Sequence, residues 1–161
     1  MPRWILETES NELQPQLSPN GLWLAYTSDR SGEQRVYVEA ANGEGRRAQV
    51  SIDGGHSSRW APDGDVLYYA VPEGFPAHTG TIIAATVSTD GDFRVTSRTE
   101  RFDVGDLNHL GAGAGVLSVN YDVHPEGEEF VHIRFRGSGG GRTLIWILNW
   151  PEIVREMTSV R

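Results

Sequence analysis

The chain has 161 residues, room for one domain or for a piece of a larger one, and its 38% hydrophobic content with five each of tryptophan, tyrosine and phenylalanine excludes wholesale disorder. Nineteen glycines and eight prolines without a Gly-X-Y period exclude collagen and point to short strands joined by frequent turns. A formal charge of −8, no cysteine and no lysine exclude a general nucleic-acid surface, disulfides, thiolate metal sites, a cysteine nucleophile, a Schiff base and a phosphate-binding lysine.

In chain order, the first predicted strand is Trp4-Ile5-Leu6. Strands then follow near 14–18, 22–28, 34–40 and 46–51, near 57–61, 66–71, 81–88 and 93–99, and near 118–124, 128–136 and 143–149. Alternation supports them: Arg35, Tyr37 and Glu39 fall opposite Val36, Val38 and Ala40. The segment after Pro151 is the one helix candidate, since proline suits a first helical position. No apolar run approaches the length of a membrane span, and the start turns acidic too early for a signal peptide.

Three signatures repeat. They are Leu17-Ser18-Pro19-Asn20-Gly21, Trp60-Ala61-Pro62-Asp63-Gly64 and Val123-His124-Pro125-Glu126-Gly127, each followed by a strand-like run. Proline sets φ for a turn, the polar residue favours it, and glycine takes positive φ, so each predicts a tight hairpin. The glycines are 43 and then 63 residues apart, and a four-stranded propeller blade takes about 40 to 45 residues. The surplus in the second interval falls on Pro72–Thr79 and on 103–117, with its Gly111-Ala-Gly-Ala-Gly115 run.

The motif Pro15-x-Leu17-Ser18-Pro19-x-Gly21-x-Trp23-Leu24-Ala25-Tyr26-x-Ser28-Asp29-Arg30-x-Gly32, with Val36-Tyr37-Val38 beyond it, resembles a TolB-type, WD-repeat-like bacterial β-propeller blade. Gln49-Val50-Ser51-x-Asp53-Gly54-Gly55 through Arg59-Trp60-Ala61-Pro62-Asp63-Gly64 resembles the junction between two such blades. Leu148-Asn149-Trp150 and the short helix are similar to the end of propellers attached to bacterial membrane-anchored Ser/Thr kinases. The expected fold is all-β, a partial propeller of about three four-stranded antiparallel blades with a short C-terminal helix. Blade-like repeats are expected near 11–51, 56–102 and 118–150. Residues 1–10 would supply the end strand of a preceding or partner blade, and 151–161 the helix and tail. Expected core residues are Leu17, Leu24, Tyr26, Val36, Val38, Trp60, Leu67, Tyr69, Phe130, Ile133, Ile145 and Ile147.

No residue pattern supports catalysis. There is no Gly-x-Ser-x-Gly, and Ser18 sits in a turn whose equivalents are Ala61 and His124. The pairs Asp63/Asp65, Asp90/Asp92 and Glu128/Glu129 lie in or beside glycine turns, where acidic residues are ordinarily solvated. None of His56, His78, His109, His124 and His132 has metal-ligand spacing, and Gly137-Ser-Gly-Gly-Gly141 reads as a hairpin loop. No catalytic residue, metal or cofactor is therefore expected. Blade geometry gathers the loops around 29–34, 53–59, 72–79 and 136–142 on one face, and Arg30, His56 and Arg59 are the expected binding residues there. The alternative for these residues is turn capping and pairing with Asp29 and Asp53. The resulting expectation is a non-enzymatic module binding a protein, peptide or small ligand. Its alternative is a sensor or accessory portion of a longer Ser/Thr kinase or a propeller-gated serine peptidase. The resemblance implies an extracytoplasmic location. Twelve strands amount to three blades, fewer than the 4 to 8 of known propellers, so the rest of a longer propeller, which is favoured, or a homodimer would complete the ring.

Overall fold

The structure, a computed structural model, describes residues 5–73, 79–103, 121–127, 129–136 and 141–147. Among these residues it is all-β, without a helix. The first sheet is a four-stranded meander of β1 (Glu12–Leu17), β2 (Trp23–Ser28), β3 (Arg35–Ala40) and β4 (Ala48–Gln49). The second contains β5 (His56–Trp60), β6 (Val66–Glu73), β7 (Thr79–Ser88) and β8 (Arg94–Asp103). The third contains β9 (Tyr121–Val123), β10 (Phe130–Arg136) and β11 (Gly141–Ile147), with β10 in the middle. Every pairing is antiparallel. These sheets are those of a partial β-propeller.

The three repeated signatures fold alike. Gly21, Gly64 and Gly127 have φ of 72°, 82° and 83°. Their amides donate to Ser18, Ala61 and His124 at 2.8, 3.0 and 2.8 Å, and the amides of those same residues donate to Trp23, Val66 and Glu129, each at 2.8 Å. The turns also stack from sheet to sheet. A methyl group placed on Gly64 would meet Pro19 Cδ at 3.6 Å, and one on Gly127 would meet Pro62 Cδ at 3.7 Å.

Alternation on β6 divides two cores. Leu67 and Tyr69 face the first sheet and pack with Ala25, Val36, Val38, Val50, Trp60 and Phe93. Tyr68 and Ala70 point the other way, onto Tyr121 and Phe130, where the Tyr68 and Phe130 rings meet edge to face at 4.9 Å. A sheet covered on both faces needs apolar residues at consecutive positions, which explains the run Val66-Leu67-Tyr68-Tyr69-Ala70-Val71. Burying one such side chain contributes about 1.5–3 kcal/mol.

Several expectations change. Leu17 is 57% exposed and lies outside the core, whereas Trp60, at the same place in the second repeat, is 7% exposed because the first sheet covers it. Leu24, Tyr26, Val36, Val38, Trp60, Leu67, Tyr69 and Phe130 are buried as expected, and the side chains of Ile133, Ile145 and Ile147 lie outside the described part. Ile5 and Leu6 are not in a strand, and Leu6 instead packs on Leu24, Tyr26 and Tyr37; Trp4 lies outside the described residues. Pro72, Glu73 and Thr79, expected in a loop, extend the β6–β7 ladder, with Pro72 opposite Gly80 and Glu73 opposite Thr79. The C-terminal helix, Leu148-Asn149-Trp150 and the Gly111–Gly115 run lie outside the described residues.

Candidate binding groove and the seam between first strands

A mismatch in strand length makes a groove. β2 and β3 have 6 residues each and β4 has 2, whereas β6, β7 and β8 have 8, 10 and 10. The second sheet therefore overhangs the first at the end where the sheet-joining segment 50–55 passes. Tyr69, Val71, Thr81, Ile83, Arg98 and Glu100 lie on the overhanging face, and Ile52 and Asp53 wall it from the joining segment, enclosing about 300 Å³. The floor on the second sheet is mixed, with Val71 and Ile83 beside Thr81, and the groups that can orient a ligand are Asp53, Arg98, Glu100 and the Tyr69 hydroxyl.

Arg98 ties the wall to the floor. Its Nε donates to the Val50 carbonyl at 2.8 Å. Burial raises the Tyr69 hydroxyl above its usual range, and Arg98 beside it pulls the other way. The joining segment can pass this close only because residue 55 is glycine. Its φ is 145°, and a methyl group there would lie 2.9 Å from Ser51 Cβ and 3.0 Å from Tyr69 Cδ2.

The three sequence-predicted binding residues occupy different environments. Arg30 is exposed in the turn after β2, with its guanidinium 5.9 Å from the centre of the Tyr37 ring. His56 is 8% exposed at the start of β5, its Nδ1 lies 2.8 Å from Ser57 Oγ, and burial lowers its pKa to about 4. At neutral pH it is an uncharged, enclosed imidazole rather than a reader of anions. Arg59 is half-buried further along β5, 3.5 Å from Asp122, and it donates to the Ser58 carbonyl at 2.9 Å. As to the alternative of pairing with Asp29 and Asp53, Asp122 is the acidic neighbour of Arg59. Asp29 is engaged by Asn11, whose backbone N–H and side-chain Nδ2 donate to it at 3.0 and 2.7 Å and lower its pKa.

Sequence reading missed a polar seam between the first strands of the three sheets. Gln14 Oε1 accepts from the Ser57 amide at 2.7 Å and from Thr27 Oγ1 at 3.1 Å, while Gln14 Nε2 donates to Ser57 Oγ at 3.2 Å. Tyr121 then donates its hydroxyl to the Ser57 carbonyl at 2.7 Å, and burial raises its pKa. Gln14 and Ser57 are 43 residues apart, the spacing of Gly21 and Gly64, so the repeat alignment carried a signal for this pair. Nothing comparable marked the groove, because strand overhang depends on where each ladder stops.

Among the described residues no group of three or more His, Cys, Asp or Glu side chains forms a metal-binding cluster. Asp63 acts in its turn, accepting from the Asp65 amide at 3.0 Å. No helix among the described residues is long and apolar enough to cross a membrane.

No family model matches the chain, and no curated protein matches it. Among solved structures, TolB from Acinetobacter baumannii aligns with a TM-score of 0.54 and 16% identity, over 88% of this chain and 31% of its own. The putative TolB from Agrobacterium tumefaciens aligns with a TM-score of 0.53 and 16% identity, over 81% of this chain and 40% of its own. The chain thus spans well under two thirds of the length of either structure. At this identity the likeness shows the fold alone, and the fold is TolB-like.

Proposed function

We propose that this chain is a non-enzymatic β-propeller segment that binds a protein, peptide or small ligand on the face where the sheet-joining loops gather. The groove between Ile52-Asp53 and the overhanging second sheet carries this reading. Apolar side chains with convergent polar groups are the ordinary make-up of a ligand site, and about 300 Å³ is at the small end of the usual range. Arg30, exposed on Tyr37, is proposed as a peripheral contact for a larger partner. His56 and Arg59 are proposed to act from within, by shaping the second sheet's first strand. An extracytoplasmic location belongs to the same proposal and rests on the TolB-like fold.

Titration of the isotope-labelled chain with a small-molecule fragment collection, followed by amide NMR, tests the site. Binding fragments are expected to shift Val71, Thr81, Ile83 and Glu100 together, and Thr81→Trp is expected to abolish those shifts by filling the groove. Shifts that cluster elsewhere, or that survive Thr81→Trp, overturn the assignment.

A further inference from the structure

The same step carries the first sheet to the second and the second to the third. At each step a turn proline of one sheet covers the turn glycine of the next: Pro19 on Gly64, then Pro62 on Gly127. Gly21 holds the equivalent place on the first sheet, and a methyl group built there meets nothing within 4 Å. Trp60 seats against the first sheet, its Nε1 donating to the Gln16 carbonyl at 3.4 Å; Leu17, its equivalent, stands 57% exposed. Leu67 and Tyr69 pack against Val36 and Val38 of the first sheet. Their equivalents Leu24 and Tyr26 form a separate apolar cluster with Tyr37 on the first sheet's other face, where no further sheet lies among the described residues. Thus the first sheet repeats the features with which the second and third receive a neighbour.

We infer that this face receives the third sheet of a second copy of the chain. The third sheet presents the matching turn: Pro125 is exposed, and Gly127 makes the same turn hydrogen bond as Gly21 and Gly64. Pro125 of one copy would cover Gly21 of the other. The register of the third sheet pairs Val131 with Trp146 and Ile133 with Leu144. Those four apolar residue types occupy the alternating positions opposite to the set of Phe130, which packs on the second sheet. Two copies related by a two-fold axis make this contact twice and bring the three described sheets of each copy into a closed ring of six, a number within the range of known propellers. In the single chain Leu24, Tyr26 and Tyr37 are already buried, with Leu6 packed on them and the Arg30 and Arg47 guanidiniums over the Tyr37 and Tyr26 rings, and the incoming sheet has to displace these side chains. This inference is independent of the groove.

Sedimentation equilibrium of the whole chain, of Leu17→Glu and of Leu17→Trp tests it. Leu17 is largely exposed in the single chain, so both variants keep the fold, which circular dichroism checks. A reversible dimer is expected, weakened about tenfold or more by Leu17→Glu and tightened by Leu17→Trp, which restores the residue found in the occupied slot. The inference fails if the wild-type chain and Leu17→Trp are both monomeric. It also fails if neither substitution moves the dissociation constant, or if association continues past two copies.

Discussion

Gln14 and Ser57 both have positive φ, 55° and 57°, and the Gln14 side chain accepts the Ser57 backbone N–H at 2.7 Å. Each sits where the register of its first strand shifts, between Leu13 and Gln16 in β1 and between His56 and Arg59 in β5. A bulge leaves a backbone donor outside the ladder. Here the bulge of one sheet supplies the partner for the bulge of the next, so the irregularities join the two sheets. Gln14→Ala removes the acceptor of the Ser57 amide and is expected to cost about 1–3 kcal/mol in urea unfolding. A loss under a few tenths would show that water replaces the side chain.

His56 predicts an acid-sensitive stability. Burial disfavours the imidazolium in the folded chain and lowers the pKa from 6.5 to about 4. The unfolded chain therefore binds the additional proton first as pH falls. The contribution is complete above about pH 6.5 and is lost progressively toward pH 4, amounting to about 3 kcal/mol. The difference in unfolding free energy between wild type and His56→Gln, followed across this window, isolates it from the carboxylates. A difference that does not vary with pH contradicts the enclosed imidazole.

Trp60 is the largest buried side chain of the cluster between the first two sheets, 7% exposed, with its ring edge-on to Phe93 at 6.2 Å between centroids. Trp60→Ala is expected to cost about 3 to 5 kcal/mol by leaving a cavity there. A lower melting temperature and a lower urea midpoint would register it. A variant as stable as wild type rules out this packing.

Gly55 and Gly21 are expected to respond differently to alanine. Both have positive φ, which disfavours any side chain by about 1–2 kcal/mol. In the single chain the space at Gly21 is open, so that backbone cost is the whole effect expected on the stability of the single chain. At Gly55 the added methyl also collides with Ser51 and Tyr69, so the joining segment must shift and the groove must deform. Gly55→Ala should therefore destabilise more than Gly21→Ala and change the amide shifts of Ile52 and Asp53. Equal melting temperatures would argue against the close passage.

The local hairpins were legible because their cause is local. Proline, a small polar residue and glycine in sequence determine a turn within a few bonds, and the strands beside the first two turns follow from alternating or continuous apolar runs. Leu17 was misread for the opposite reason. A leucine at a repeated apolar position is buried only if a neighbouring sheet covers it, and coverage is a relation between sheets, not a property of the motif. Arg59 pairs with Asp122, 63 positions away, rather than with the nearer Asp53. Such partners are selected by which first strands lie side by side.

By itself, the sequence determined the all-β class, the three equivalent turns and a set of buried residues that includes Val36, Val38, Trp60, Leu67, Tyr69 and Phe130, since these depend on φ preferences and on period-2 alternation. The tertiary structure alone decided that His56 is enclosed and uncharged, that Gln14 links two bulges, and that the second sheet overhangs the first to leave a groove. Each of these arises where one sheet packs on another. The physical reason is that desolvation, side-chain pairing and empty volume depend on distances between segments far apart in the chain, and those distances exist only once the sheets are packed.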